Sequence, residues 1–570
     1  MLKSLKQLWG ILTKLDKRKV IYVLILVVGM AFIESAGVIS IMPFLAVLSN
    51  PAIVETVPIL KILQEYSGAK NSQQVVIYLG SISFIIVVFS AFLKIITQYA
   101  VNRFASLQRH YFSSRLLKIY LQQNYEFFIQ RNSASLIKNV LSEVDQLIWS
   151  MILPALSMLS YGLVLIAMIG ILLLYNPIIA LGTAGTLAFF YITIYVLVKK
   201  KLSKIGQEFT QANKERYQNC QEALAGIKDV IINNAKQGYI DQFETSSRVF
   251  ARHIATRDTL GQVPLNIIET VGYGCLIGLA MLLVVLGKDV SEILPVLGLY
   301  GFAAYRMLPA AQNIYRAISQ IKFSQQVLNI LIPEFDLEKE KSSKDLINHA
   351  ASLEFEQTIR LENISFAYPN YPDKPVLCDI NLEIKKNTSI GIIGKSGSGK
   401  STLMDIMLGL LTPQHGKIYI DNRELNESNI REWRNLVGYV PQFIYLANKS
   451  VAENIAFGVP KSEIDIEQVK YASKLAQIDE FIMQNLNNGY DEIIGEKGVM
   501  LSGGQRQRIG IARALYKKPE VLFLDEVTSS LDAETANLVF ESIKNIGKTI
   551  ILISHKHFEI LYVDKKILLG

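Results

Sequence analysis

The sequence predicts a membrane α-helical bundle of six spans followed by a soluble α/β domain built on a phosphate loop. Three observations carry that prediction. Half of the 570 residues are hydrophobic, and the long apolar runs all fall within residues 1–330. Lys and Arg gather in alternate connections between those runs, the charge bias expected of a membrane protein. Beyond them, NTSIGIIGKSGSGKSTLMDIMLGLL reads as a strand, a glycine-rich loop and a helix.

Six segments are apolar over the roughly 20 residues that a bilayer crossing needs. They are Val20–Asn50, Val75–Ala100, Leu147–Tyr175, Ile178–Val198, Val263–Gly287 and Ile293 to about Ile314. Ahead of them Lys3 to Lys19 is amphipathic and basic, and no small-residue cleavage site follows the first apolar run. This stretch reads as an interfacial helix rather than a cleaved leader. Connections 51–74, 176–177 and 288–292 hold only Lys61, Lys70 and Lys288 as positive charges. The alternate connections hold Arg103, Arg109, Arg115, Lys118, Arg131, Lys138, Lys199, Lys200, Lys201 and Lys204, among others. By that bias both termini and the long connections are cytoplasmic.

The long connections contain no helix breakers, so the spans should continue into the cytoplasm as long helices. At their far ends NYEFFIQRNS and AGIKDVIINN are candidate docking elements for the soluble domain. On the outer side, PILKILQEYSG has Ile59, Ile62, Leu63 and Tyr66 at helical spacing, with Pro58 to start a helix and Gly68 to end it. It is too short to span a bilayer.

The predicted organisation is a transmembrane domain at 1–330, a polar linker at 331–352 and a nucleotide-binding domain at 353–570. The net charge of +8 belongs to the flanks of the apolar runs. There is no basic stripe interleaved with aromatics, so nucleic acid is not an expected partner. Cys220, Cys275 and Cys378 are scattered, with no metal-ligand spacing and no expected disulfide.

The chemistry lies in three motifs. Gly394, Lys395, Ser396, Gly397, Ser398, Gly399, Lys400, Ser401 and Thr402 form a phosphate loop whose backbone N–H groups would close around phosphate at a helix start. Lys400 would reach the β- and γ-phosphates of a nucleotide, and Ser401 would hold Mg²⁺. VLFLDE is an apolar strand ending in Asp525, placed to hold the metal through water, and Glu526, placed to polarise an attacking water. LSGGQ, with Ser502, Gly503, Gly504 and Gln505, is a second small-residue turn opening a helix and so a second anion site. Two copies facing each other would hold each nucleotide between one copy's phosphate loop and the other's LSGGQ.

Taken in order, these motifs resemble the nucleotide-binding domain of the ATP-binding cassette (ABC) superfamily. The resemblance implies ATP and Mg²⁺ as ligands. It implies that Tyr368 in FAYPN stacks on adenine and that Gln442 in YVPQ senses the metal. Asp532 in SSLD would belong to the loop crossing a dimer interface. His555 in ILISHKH, rather than His557, would be the switch histidine at the γ-phosphate, and Glu496 in GEKG would lie in a coupling loop. After His555 the family pattern continues arginine-leucine-serine, whereas this chain has Lys556, His557 and Phe558; it is also expected to have a minimal C-terminus.

Six spans ahead of a cassette resemble an exporter-type half-transporter, which implies a homodimer and ATP-driven alternating access. Ionisable residues within spans cost about 2.5–3.5 kcal/mol at the bilayer centre and tend to face a cavity or one another. Glu34, Lys94, Glu269 and Arg306 are the candidates. AFIESAGVISIMPFL, YRMLPAAQNIYR and the short external helix resemble the bacterial lipid-linked oligosaccharide flippases of protein N-glycosylation. That resemblance implies the bacterial inner membrane and a polyprenyl-pyrophosphate oligosaccharide as substrate. Its tail would lie near Ile59, Ile62 and Leu63, among the membrane lipids, and its head group would pass cations such as Arg306. Ser90 and Leu265 stand where arginines would be sought in that family. The alternative is an exporter of peptides, drugs or other lipids. A soluble non-transport cassette ATPase is disfavoured by the apolar runs.

Overall fold

The computed structural model describes residues 2–51, 53–67, 69, 71–175, 177–285, 290–342, 353–495, 501–527, 530–554 and 563–569. They form two compact units. The first comprises 1–123 and 130–343, the second 344–570 together with 124–129.

Among its described residues the first unit is built of helices. An amphipathic helix, Leu2–Ile11, precedes Lys14–Ser49. Thr13 and Asp16 cap the longer helix reciprocally, which satisfies two of its orphan N–H groups. Asp16 is buried and accepts 2.8 Å from Gln108 Nε2, which pins this start to the helix Ser72–Leu121. That helix has 50 residues, about 75 Å at about 1.5 Å per residue. A hydrocarbon core is about 30 Å thick, so the helix reaches well past it, as does Pro177–Ala225 and Lys236–Val285. Val290–Phe323 and Gln325–Ser342 follow. Among the described residues, four helical stretches are long and apolar enough to cross a membrane: Leu15–Leu48, Ser72–Leu121, Ser133–Leu174 and Ala180–Ala225.

The stretch from Ser133 to Tyr175 is helical but interrupted by two π-helical turns, Asn139–Glu143 and Ile148–Ile152. The first follows Lys138, whose Nζ lies 2.9 Å from Glu143 Oε1 with both side chains buried.

One sequence expectation is corrected here. The stretch read as linker from Leu331 is helical as far as Ser342. Val327, Leu328, Leu331 and Phe335 are buried on one face, Glu334 is buried beside them, and Glu338 is exposed. Residues 343–352 lie outside the described part. The external segment does form a helix, Pro58–Ser67, but it is anchored by Leu60, which packs with Val47, Val54, Ala69, Val75 and Leu79. Leu63 adds a half-buried contact, and Ile62 is 53% exposed. The side chains of Ile59 and Tyr66 lie outside the described part.

Among the described residues the second unit carries nine strands: β1 Thr358–Phe366, β2 Leu377–Lys385, β3 Ser389–Gly394, β4 His415–Ile420, β5 Arg423–Glu424, β6 Val437–Val440, β7 Val521–Asp525, β8 Thr549–Ile553 and β9 Lys565–Leu569. An antiparallel sheet runs β2-β1-β4-β5 and a parallel sheet β6-β7-β8-β3-β9. VLFLD and TIILI are buried at every position, which is why they read as continuous apolar runs rather than alternating ones. Trp433 is fully buried between the sheets' shared core residues, with Nε1 donating 2.8 Å to Met407 O.

Candidate active site

The phosphate loop leaves β3 at Gly394 and enters the helix Lys400–Met407 at Lys400. Gly397 and Gly399 have φ of +83° and +89°. A Cβ at Gly399 would also sit 2.8 Å from Leu377 Cδ2, so only glycine fits this turn. Lys400 is buried, and its Nζ donates to Gly394 O at 3.0 Å and Lys395 O at 2.9 Å. The ammonium therefore lies across the loop it belongs to. Ser398 Oγ is buried and has no hydrogen-bond partner among the described residues, a polar atom that a phosphate oxygen would satisfy. Ser401 is exposed at the helix start, while Thr402 is buried with its Oγ1 3.1 Å from Tyr368 OH. The Tyr368 ring meets Phe366 edge-on at 5.2 Å.

Asp525 ends β7, and Glu526 follows with φ +49°, a left-handed conformation that costs about 1–3 kcal/mol in a non-glycine residue. The surroundings hold it there. Glu526 N–H donates to Ile553 O at 3.0 Å, its carbonyl accepts from Gln507 Nε2 at 3.1 Å, and its Oε2 accepts from Gln442 Nε2 at 2.7 Å. Gln442 and Glu526, 84 positions apart, are thus brought together. On the phosphate-loop helix, burial and then the charge of Asp525 push the Asp405 carboxyl up to about 6. Burial, again with Asp525, raises the Tyr439 hydroxyl. A site of carboxylates, a hydroxyl and an amide is hard-ligand chemistry that fits Mg²⁺, and Ser401, Asp525 and Gln442 are the residues that could hold it.

Ser502 caps the helix Gly503–Tyr516: Gln505 N–H donates to its Oγ at 3.2 Å, and Gln505 Oε1 accepts from Ser502 N–H at 2.7 Å. Gly503 and Gly504 let this helix start approach Ser530 and Leu531; added Cβ atoms would lie 3.2 Å from Ser530 Cβ and 3.0 Å from Ser530 O. Asp532 caps the helix Ala533–Asn545, accepting from Thr535 N–H at 2.9 Å. That backbone bond lowers the Asp532 carboxyl. Glu496, His555 and His557 lie outside the described residues.

In the helical unit, Glu34 Oε1 accepts from Arg306 Nη1 at 2.6 Å and lies 3.5 Å from Lys94 Nζ. Three helices thus converge on one buried carboxylate that carries two cations. Glu269 instead accepts from Tyr273 OH at 3.2 Å on its own helix. A cavity of about 260 Å³ is lined by Leu165, Ile169, Tyr191, Tyr195, Met307 and Tyr315, among other side chains. Sequence reading missed Gln507, although its place two residues beyond LSGGQ, on the buried side of that helix, was a usable signal.

Residues 20–260 match the family described as ABC transporter transmembrane region, and residues 377–529 the family described as ABC transporter. The chain is similar to the leukotoxin translocation ATP-binding protein LktB of Mannheimia glucosida, 42% identical over 219 residues, covering 38% of this chain and 30% of that one. It is also similar to the mouse (Mus musculus) mitochondrial ATP-binding cassette sub-family B member 10, 40% identical over 205 residues, covering 35% and 28%. The alignments thus span less than a third of either relative. The structure of a bacterial Atm1-family ABC exporter with ATP bound aligns with a TM-score of 0.73 over 97% of this chain and 93% of that one, at 18% identity. That likeness is one of fold: an N-terminal helical transmembrane region followed by a C-terminal α/β nucleotide-binding domain.

Proposed function

We propose that this chain, an ABC exporter half-transporter with its transmembrane region fused to its ATP-binding cassette, is a homodimeric ATPase that moves an amphipathic substrate across a membrane. The observation that carries the ATPase reading is the convergence of Glu526, Gln442 and Gln507 at the end of β7, beside a glycine-built phosphate loop. Lys400 leaves the loop carbonyls to meet the β- and γ-phosphates of ATP. Tyr368 lies against the adenine. Ser401, Asp525 and Gln442 hold Mg²⁺, which when bound neutralises charge on the phosphates. The Glu526 carboxylate orients and polarises the attacking water once Gln442 has turned away from it. Ser502, Gly503, Gly504 and Gln505 of the second copy complete each site with helix-start N–H groups, and Asp532 lies at the same interface. Both termini are cytoplasmic, and the membrane is the bacterial inner membrane.

The substrate is a polyprenyl-pyrophosphate-linked oligosaccharide or a similar glycolipid. Two features support this. One buried carboxylate, Glu34, faces two cations, Arg306 and Lys94, leaving one positive charge in excess for an anionic head group. The external helix Pro58–Ser67 presents Ile62 to its surroundings, where an isoprenoid tail can lie. The apolar, tyrosine-lined cavity favours a second reading, export of a drug, peptide or other lipid without a pyrophosphate.

Labelled polyprenyl-pyrophosphate oligosaccharide in proteoliposomes, with ATP, separates them. ATP-dependent flipping that is lost in Glu526→Gln supports the glycolipid; hydrolysis without flipping sinks that substrate and leaves the exporter.

A further inference from the structure

We propose that Gln507 is a positioning residue for hydrolysis: it locks the catalytic glutamate's backbone to the turn that opens the LSGGQ helix. The role rests on the ATPase reading above. Three observations converge. Gln507 is buried, and its side-chain amide is used at both ends. Nε2 donates to Glu526 O at 3.1 Å, and Oε1 accepts from Ser530 N–H at 3.2 Å. It thereby ties Glu526 and Ser530 to the same helix.

Gln505 is not available for this task, because its side chain closes the cap with Ser502. Gly503 and Gly504 bring the same helix start against Ser530 and Leu531. Glu526, Ser530 and Leu531 are therefore all held by one helix, and movement of that helix is delivered to them directly. Glu526 needs the grip. Its left-handed φ persists only if neighbours over-determine it, and the Gln507 bond to its carbonyl fixes the peptide plane that follows. In a pair with composite sites, the LSGGQ turn faces the other copy's nucleotide. Gln507 would then report the closure of one site to the glutamate of the other.

The test uses the full chain in nanodiscs, with Gln507→Ala and Gln507→Glu beside wild type. Misplacing a reacting group by about 1 Å can cost about 100-fold. Gln507→Ala is expected to lower kcat about 10- to 100-fold, with KM for ATP within about twofold. The melting temperature and the binding of a fluorescent ATP analogue should stay near wild type. Gln507→Glu separates the two bonds. Its carboxylate still accepts from Ser530 N–H but cannot donate to Glu526 O until protonated. Its kcat relative to wild type should be low at pH 8 and rise as the pH falls toward 5.5.

An unchanged kcat in Gln507→Ala overturns the proposal. So does a kcat loss matched by lost nucleotide binding or lowered melting temperature, or a Gln507→Glu ratio flat with pH. No hydrolysis by wild type would instead overturn the ATPase reading itself, and this role with it.

Discussion

Gln442 and Glu526 are joined side chain to side chain, the amide Nε2 donating to the carboxylate Oε2 at 2.7 Å. Both groups are asked to do other work during turnover, the amide at Mg²⁺ and the carboxylate at water. Replacing Gln442 with Ala should therefore raise the Mg²⁺ concentration needed for half-maximal ATPase and lower kcat by about 10-fold, the lower end for losing a group that supports a metal site. A Mg²⁺ titration of both proteins checks this; superimposable curves would remove Gln442 from the site.

Lys138 and Glu143 form a buried pair around a π-helical turn. Removing one partner strands a buried charge, which costs about 3–5 kcal/mol, whereas removing both is often close to neutral. Lys138→Met should lower the thermal midpoint sharply, and adding Glu143→Leu should restore much of it. Additive losses in this double-mutant cycle would mean that the two charges do not interact.

Asp405 should make the cassette less stable as pH rises. Its carboxyl is pushed up from 3.8 to about 6, by burial first and Asp525 second. Between those values the folded protein holds a proton that the unfolded chain has released, so stability falls with rising pH across that window. Asp405→Asn should raise the melting temperature at pH 7.5 and flatten its pH dependence between about 4 and 6. A variant no more stable than wild type at pH 7.5 would contradict it.

The external helix divides into two roles. Leu60 is buried, and Leu60→Ser should cost about 2–4 kcal/mol in the manner of large-to-small core changes. Ile62 is exposed, and Ile62→Ser should leave the melting temperature and basal ATPase unchanged while reducing glycolipid flipping. If flipping by Ile62→Ser equals wild type, the helix is only a plug.

What could be read from the chain alone follows from how local each constraint is. The phosphate loop was visible because Gly397 and Gly399 need backbone conformations that other residues resist. β7 was visible because burial on both faces demands an unbroken apolar run ending in Asp525 and Glu526. The anchor of the external helix could not be read locally, because Leu60 packs against Val75 and Leu79, beyond the helix itself. The charged run after Leu331 suggested a linker because its polarity outweighed the spacing of Val327, Leu328, Leu331 and Phe335. Glu34 with Arg306, 272 positions apart, and Gln507 with Glu526 are pairings that only the folded chain reveals.

The strand that carries the phosphate loop has a consequence for biosynthesis. β3 is flanked by β8 and β9, and Gly394 pairs with Leu569, 175 positions later (569 − 394). A ribosome therefore produces the loop long before either neighbour exists. Until both arrive, β3 has two open edges, the kind of surface on which nascent chains pair wrongly. The cassette cannot mature from its N-terminal side as synthesis proceeds. Assembly of the nucleotide site waits until β9 has been made, after the helices of the first unit.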